Sequence, residues 1–403
     1  MLLLLALCAC SGGGTSGPLP TGAIRGVQDG GTATPGEGAN ALPGEGANAL
    51  PGEGANALPG EGANALPGSQ LACQFSAQAG QASCTVAINV NVKALANPAT
   101  PASEIPGLHP IDLQNAYGFA AHSANGTVAI VDAYDDPAVE SDLAVYRTAF
   151  GLPACTSSSG CFRKVNQSGI GGSYPSFDPG WSQEIALDVE MVSAVCPTCK
   201  ILLVEANSAS LDDLGASVDT AAALGAAAIS NSYYAFEWAG ENSEDAHYHH
   251  PGVAITASSG DAAEAFYPAS SPYVTSVGGT SLSGSANAWN ESPWTYGGRG
   301  CSAYETAPAW QGETSCTTRS TVDVAAVADP QTGVAVFDAA AGGWIVAGGT
   351  SVGAPLVAAA YLLSGNPQSA AFSYAHPGDF HDIPPAGYDL ATGLGSPRGV
   401  AGL

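Results

Sequence analysis

Positive charge is scarce in this chain. Its 403 residues carry 9 Lys plus Arg against 35 Asp plus Glu, a formal net charge of −26. Phosphate backbones repel such a polyanion, which excludes nucleic-acid binding, and a basic amphipathic helix on a membrane surface is excluded for the same reason. Long apolar runs are also missing. The first nine residues, MLLLLALCA, are too short to span a bilayer and lack the positive flank of an ordinary signal peptide. Charged residues make up only 11% of the chain and apolar ones 45%, enough for a sizeable core. The class left is an acidic globular protein. Its charge balance suits work in acid, where protonated carboxylates relieve self-repulsion.

The ends carry their own signals. Leu7-Cys8-Ala9-Cys10, followed by Ser11 and three glycines, resembles a bacterial lipoprotein signal in which the cysteine becomes lipid-modified. Residues 1–10 are therefore expected to form a signal ending in a lipidated Cys10, with a plain secretory signal as the alternative. Residues 35–66 are four perfect copies of PGEGANAL, followed by Pro67-Gly68. A repeat with Pro-Gly in every copy and a single Leu builds neither a helix nor a solenoid core, so residues 11–68 read as a disordered stalk. A short disulfide-containing segment, 69–106, then precedes the globular part, 107–403.

Beyond Cys8 and Cys10, the remaining cysteines of the total of 10 fall into close pairs: Cys73/Cys84, Cys155/Cys161, Cys196/Cys199 and Cys301/Cys316. An even number in local pairs on an exported chain reads as small-loop disulfides. A redox role for Cys196-Pro-Thr-Cys199 is disfavoured, because no thioredoxin-like βαβ context surrounds it.

From about residue 107, strands and helices alternate. Thr127–Asp132, Lys200–Glu205, Ala228–Ser232 and Val253–Ala257 are short apolar runs that read as buried strands. Asp142–Phe150, Glu184–Val195 and Leu211–Leu224 have helical spacing. The expected fold is α/β, a mostly parallel sheet with helices on both faces and sites at the carboxyl ends of the strands.

Three places carry chemistry. Gly348-Gly-Thr-Ser351 leads into an Ala-rich apolar helix, which puts Ser351 at the helix N-terminus, where an alkoxide is favoured. Taken alone, Thr350-Ser351 could equally cap a buried helix. Glu184 and Asp188 lie four apart on one face of an otherwise apolar helix, so one carboxyl should hold its proton more tightly; the plain alternative is a solvated helix edge. Ser258-Ser-Gly-Asp261 ends an apolar strand, and a protonated Asp261 could donate to an oxyanion. Alone, it could also be an Asp turn.

Taken together, in order and spacing, these motifs resemble the sedolisin family of serine-carboxyl peptidases, whose catalytic domain is subtilisin-like. The resemblance runs from Leu108 to Pro397 and includes Tyr267–Thr280 and Gly387–Pro397. It implies Ser351 as nucleophile, Glu184 as general base, Asp188 as its proton-sharing partner and Asp261 in the oxyanion hole, and hence activity at acid pH. Ser230, Asn231, Ser232 and Tyr233 resemble the strand that pairs with substrate backbone. It also implies a C-terminal calcium site, with Asp382, Ile383, Gly387 and Asp389 matching its ends, although the intervening loop is cut to Pro384-Pro-Ala386.

The large pro-domain normal in that family has no counterpart of adequate size in residues 69–106. Asp132, at the end of Val128–Asp132, stands where an ordinary subtilisin would have its aspartate. None of the 7 histidines lies in a His-Gly-Thr-His setting, so Asp132 reads as structural. His247-Tyr-His-His250 reads as a polar loop rather than a metal site. The resulting expectation is an acid-acting endopeptidase on protein or peptide substrates, monomeric and tethered outside the cell. Tripeptidyl-peptidase action and a catalytically silent binding module are the alternatives, and the filled catalytic positions argue against the second.

Overall fold

The computed structural model of the chain describes residues 66–285, 288–312, 314–366 and 369–403. The expected signal, the lipidated Cys10 and all of the stalk before Leu66 lie outside them. In chain order the elements are β1 (Ser69–Leu71), β2 (Ser83–Cys84), β3 (Ala87–Asn89), α1 (Pro110–Ala116), β4 (Thr127–Ala133), α2 (Val139–Ala149) and β5 (Phe162–Asn166). Next come α3 (Pro179–Val195), β6 (Lys200–Ala206), α4 (Leu211–Ala223), β7 (Ala228–Asn231), β8 (Tyr233–Phe236) and β9 (Ala254–Ser258). The last are β10 (Phe266–Tyr267), β11 (Thr275–Ser285), β12 (Ala288–Pro293), β13 (Val324–Val327), β14 (Val334–Asp338), β15 (Gly343–Gly348) and α5 (Gly353–Ser364).

The main sheet has the order β12-β11-β9-β7-β4-β6-β5, with β13 also paired to β11. Every pairing in it is parallel except β11 with β12. The sequence dictates this directly. Val128–Val131 are wholly buried, so β4 is apolar without alternation, as a strand covered on both faces must be. The crossovers β4-α2-β5, α3-β6 and α4-β7 supply the cover. α3 and α5 pack on each other, and α5 lies along β7 and β9, while α4 packs on β4 and β6. The expected α/β class is the one observed.

The N-terminal segment is not a separate piece. β3 is an interior strand of a second sheet, β1-β3-β15-β14, and β2 joins β8 and β10 in a third. Leu66, the last residue of the fourth repeat, is buried beside Ala87, Trp294 and Ala328. A boundary drawn at 106/107 therefore cuts through paired structure. All four expected disulfides form: Cys73–Cys84, Cys155–Cys161, Cys196–Cys199 and Cys301–Cys316.

Candidate active site

Helix α3 delivers two carboxylates into a dry interior. Asp178 caps it, accepting from the amides of Gly180 (2.9 Å) and Trp181 (3.0 Å), with Pro179 at its first turn. From there to Val195 nearly every side chain is buried, Glu184 and Asp188 included at 0% exposure. The solvated-edge alternative is thus excluded. Asp188 Oδ1 accepts from Ser232 Oγ at 2.9 Å. Burial pushes the Glu184 carboxyl well above the usual carboxylate range, and repulsion from Asp132 adds to this. Asp188 is raised by the same burial, then by Asp132 and by Glu184.

Asp132, the penultimate residue of β4, lies within the field of both α3 carboxylates, fully buried and with neither oxygen hydrogen-bonded. Burial raises its own carboxyl as well. Asp132, Glu184 and Asp188 are buried within reach of one another's charge, so they cannot all ionise easily.

Ser351 sits two residues before α5, in the turn where Val352 N bonds Gly349 O and Gly353 N bonds Thr350 O. Its hydroxyl lies close enough to Glu184 to favour the ionised carboxylate. Glu184 Oε1 has no hydrogen bond of normal geometry, because the Ser351 hydroxyl is engaged with Thr85 Oγ1.

Asp261, three residues beyond β9, reaches Thr350, the residue before that serine. Gly260, in a left-handed conformation at φ +97°, turns the chain so that Asp261 Oδ1 accepts from Thr350 N and Thr350 Oγ1, both at 2.9 Å. Its other oxygen, Oδ2, is buried without a partner. Burial pushes this carboxyl up to about 7, against the lowering effect of the Thr350 bonds. At acid pH it is neutral and can donate.

Ser230–Tyr233 divide their duties. Asn231 Nδ2 donates to Thr256 O (2.9 Å), and Asn231 Oδ1 accepts from Tyr233 OH (2.8 Å). Ser230 Oγ is buried and unpartnered, and Ser232 holds Asp188. The backbone edge available for pairing begins only at Tyr233, on β8.

That edge is taken by this chain. Cys84 pairs antiparallel with Tyr233 and Ser83 with Tyr234. The amides of Thr85 and Val86 both donate to Glu184 Oε2, at 2.7 and 2.8 Å. The Thr85 carbonyl lies against Gly349, whose φ of +100° and missing side chain permit the approach. Ala87 and Ile88 then pair antiparallel with Gly348 and Ala347 of β15. Sequence reasoning missed Thr85 altogether, and no local signal marks it.

The loop matched to a calcium site closes on itself. Asp382 Oδ1 accepts from Gly387 N at 3.0 Å, and the Asp389 carboxylate is bonded by the Ala391 and Thr392 amides and the Thr392 hydroxyl. Ile383 is buried. Among the described residues no three His, Cys, Asp or Glu side chains converge as metal ligands. No step of the chemistry is routed through a calcium ion. In the polar loop 247–250, His247 and His250 both bond Asp219, at 2.6 and 2.9 Å.

The fold and site together define an α/β domain in which a serine at a helix entrance faces buried carboxylates. Among the described residues no histidine bonds any of these groups. Comparison with known proteins narrows the class. Kumamolisin of Bacillus sp. (strain MN-32) is 28% identical over 361 residues, covering 72% of this chain and 62% of that protein. Xanthomonalisin of Xanthomonas sp. (strain T-22) is 36% identical over 114 residues, 23% of this chain and 14% of that protein. A Pseudomonas sedolisin, a serine-carboxyl proteinase solved with two molecules of pseudo-iodotyrostatin, superposes with a TM-score of 0.64 at 23% identity, covering 73% of this chain and 96% of its own. No family model matches. The chain has the fold of the solved sedolisin, and its sequence is similar to kumamolisin and xanthomonalisin. It spans 62% of the length of kumamolisin.

Proposed function

We propose that the chain is a serine-carboxyl peptidase that cleaves proteins at acid pH. The observation that supports this reading is the buried Ser351 beside Glu184 of α3, with Asp261 bonded to Thr350, the residue before the serine. In the proposed reaction Ser351 Oγ attacks the peptide carbonyl carbon while its proton passes to Glu184. Asp188, held by Ser232, shares the proton load of the cluster, which keeps Glu184 basic enough to accept it. The developing oxyanion takes a hydrogen bond from the protonated Oδ2 of Asp261. Collapse returns the proton from Glu184 to the leaving amine, giving an acyl-Ser351 ester. Water, deprotonated by Glu184, then hydrolyses the ester and restores the serine.

Endopeptidase action is favoured over tripeptidyl-peptidase action by the path of residues 83–89. They pass between β8 and β15 and continue beyond both, so the groove accommodates chain on either side of Ser351. The disulfides fit an exported protein, for which we propose anchoring through Cys10 and action as a monomer. Among the described residues no helix is long and apolar enough to cross a membrane.

The test is digestion of a denatured protein at pH 4, with the fragments sequenced. Internal cleavages that vanish in Ser351→Ala are expected. Persistent cleavage in that variant, or none from folded wild type, would overturn the assignment, and release of N-terminal tripeptides alone would overturn the endopeptidase mode.

A further inference from the structure

The two oxygens of Asp261 have different surroundings. Oδ1 accepts from Thr350 N and Thr350 Oγ1, both at 2.9 Å. Oδ2 is buried without a partner and lies over Gly349, where a Cβ would stand 2.8 Å from it. The unpartnered oxygen is thus beside the turn that carries Ser351, in space that the glycine leaves open.

The direction of each bond follows from what the groups can donate. Gly260 N donates to Thr350 Oγ1 at 3.1 Å. An amide N–H cannot accept, so this bond uses a lone pair of the threonine hydroxyl and leaves its single proton for Asp261 Oδ1. Oδ1 then receives two donated protons. The O–H oxygen of a carboxyl accepts poorly, so a neutral Asp261 carries its own proton on Oδ2. The same hydroxyl ties the Gly260 turn to the entrance of α5, and Thr350 is wholly buried.

We propose that Thr350 is a positioning residue: its amide and hydroxyl hold Oδ1 of Asp261 as the accepting oxygen, which directs the carboxyl proton to Oδ2 and so to the carbonyl oxygen of a bound peptide. This rests on the peptidase reading of the same site. The Thr350 bonds also favour the ionised carboxylate, against burial, and so oppose the neutral form that the reaction needs. Removing the hydroxyl therefore has two opposite consequences. Asp261 loses its orientation, which lowers turnover, and it keeps its proton to higher pH, which extends the active range. A general loosening of the site gives the first alone. Tyr234 faces Asp261 from β8 as a neutral phenol, whose proton burial and the Asp261 charge hold more tightly. Glu264 follows on the same loop, its carbonyl bonded by the amide of Arg299, and Glu184 of α3 neighbours Ser351. These four groups are common to every protein compared below.

The experiment compares Thr350→Val, which replaces the hydroxyl with a methyl, and Thr350→Ser, which keeps it. The Asp261 carboxyl is followed from pH 3 to 9 by carbon-13 NMR of full-length, aspartate-labelled Ser351→Ala protein, its signal assigned by its loss in Asp261→Asn. The titration midpoint should rise by about one pH unit in Thr350→Val and stay within a few tenths of a unit in Thr350→Ser. In the active chain, kcat at pH 4 should fall about tenfold in Thr350→Val while its upper pH limb moves upward with the midpoint, and Thr350→Ser should restore both. Thr350→Cys, with a weaker bonding group, should fall between the two and serves where the valine protein does not fold. An unmoved or lowered midpoint, or a fall in kcat with the limb in place, would overturn the assignment. A midpoint that rises as expected in a chain that cleaves nothing would uphold the positioning and count against the peptidase reading alone.

Discussion

Asp261 is the side chain whose protonation should be most visible in activity. In the proposed mechanism it donates to the oxyanion only while neutral, and burial pushes its carboxyl up to about 7. Asp261→Ala removes the donor and should lower kcat by roughly 10²–10³-fold at pH 4. Asp261→Asn keeps a donor that cannot ionise, so its residual activity should persist through pH 7, where the wild type declines. A pH–kcat profile of the three proteins checks both. The four proposed catalytic residues are legible in the sequence because each sits in a short motif with its own geometry: a helical i,i+4 pair, a strand end, a helix entrance. Asp132 was visible as a lone carboxyl ending an apolar strand. Its meaning depends on β4 lying beside α3, which no local pattern shows. Thr85 is harder still, since nothing in its local sequence sets it apart.

Elements place these groups, and their ends matter most. Helical spacing predicts α3 from Glu184, whereas the helix starts at Pro179. Gly180, Ser182 and Gln183 hide its first turn, and the Asp178 cap with Pro179 restores it. Asp178→Ala should destabilise the fold by about 0.5–2 kcal/mol in urea unfolding. The strand expected over Ala228–Ser232 breaks at Asn231 and resumes as β8, which creates the free edge used at the groove. Near β13, Arg319 is fully buried and grips Asp323 with both nitrogens, at 2.8 and 2.6 Å, while Asp323 also accepts from Ser276 N at 2.8 Å. Arg319→Leu leaves a buried charge unpaired and should cost about 3–5 kcal/mol. A loss below about 1 kcal/mol in the same unfolding measurement would contradict that.

At the scale of the whole molecule, acid is the favourable medium. Burial pushes Asp136, Asp261 and Glu305 up to about 7, Glu205 to about 8 and Glu241 to about 9. Carboxyls raised in the folded state bind more protons folded than unfolded. Their stabilising contribution is complete below the unfolded value of about 4 and is lost as pH rises through 7 to 9. The net charge of −26 works in the same direction. The melting temperature should therefore be higher at pH 4 than at pH 8; the reverse order would show that these groups are not held protonated by the fold. The surplus of acidic residues was plain from composition, but which carboxyls are buried is decided by packing.

The measurement that bears most directly on the central claim is kcat/KM for one peptide from pH 2.5 to 8, wild type against Glu184→Gln. The expected result is an acidic optimum, with Glu184→Gln lower by roughly 10²–10⁴-fold across the range. A neutral optimum that survives Glu184→Gln would contradict a carboxylate base at Ser351.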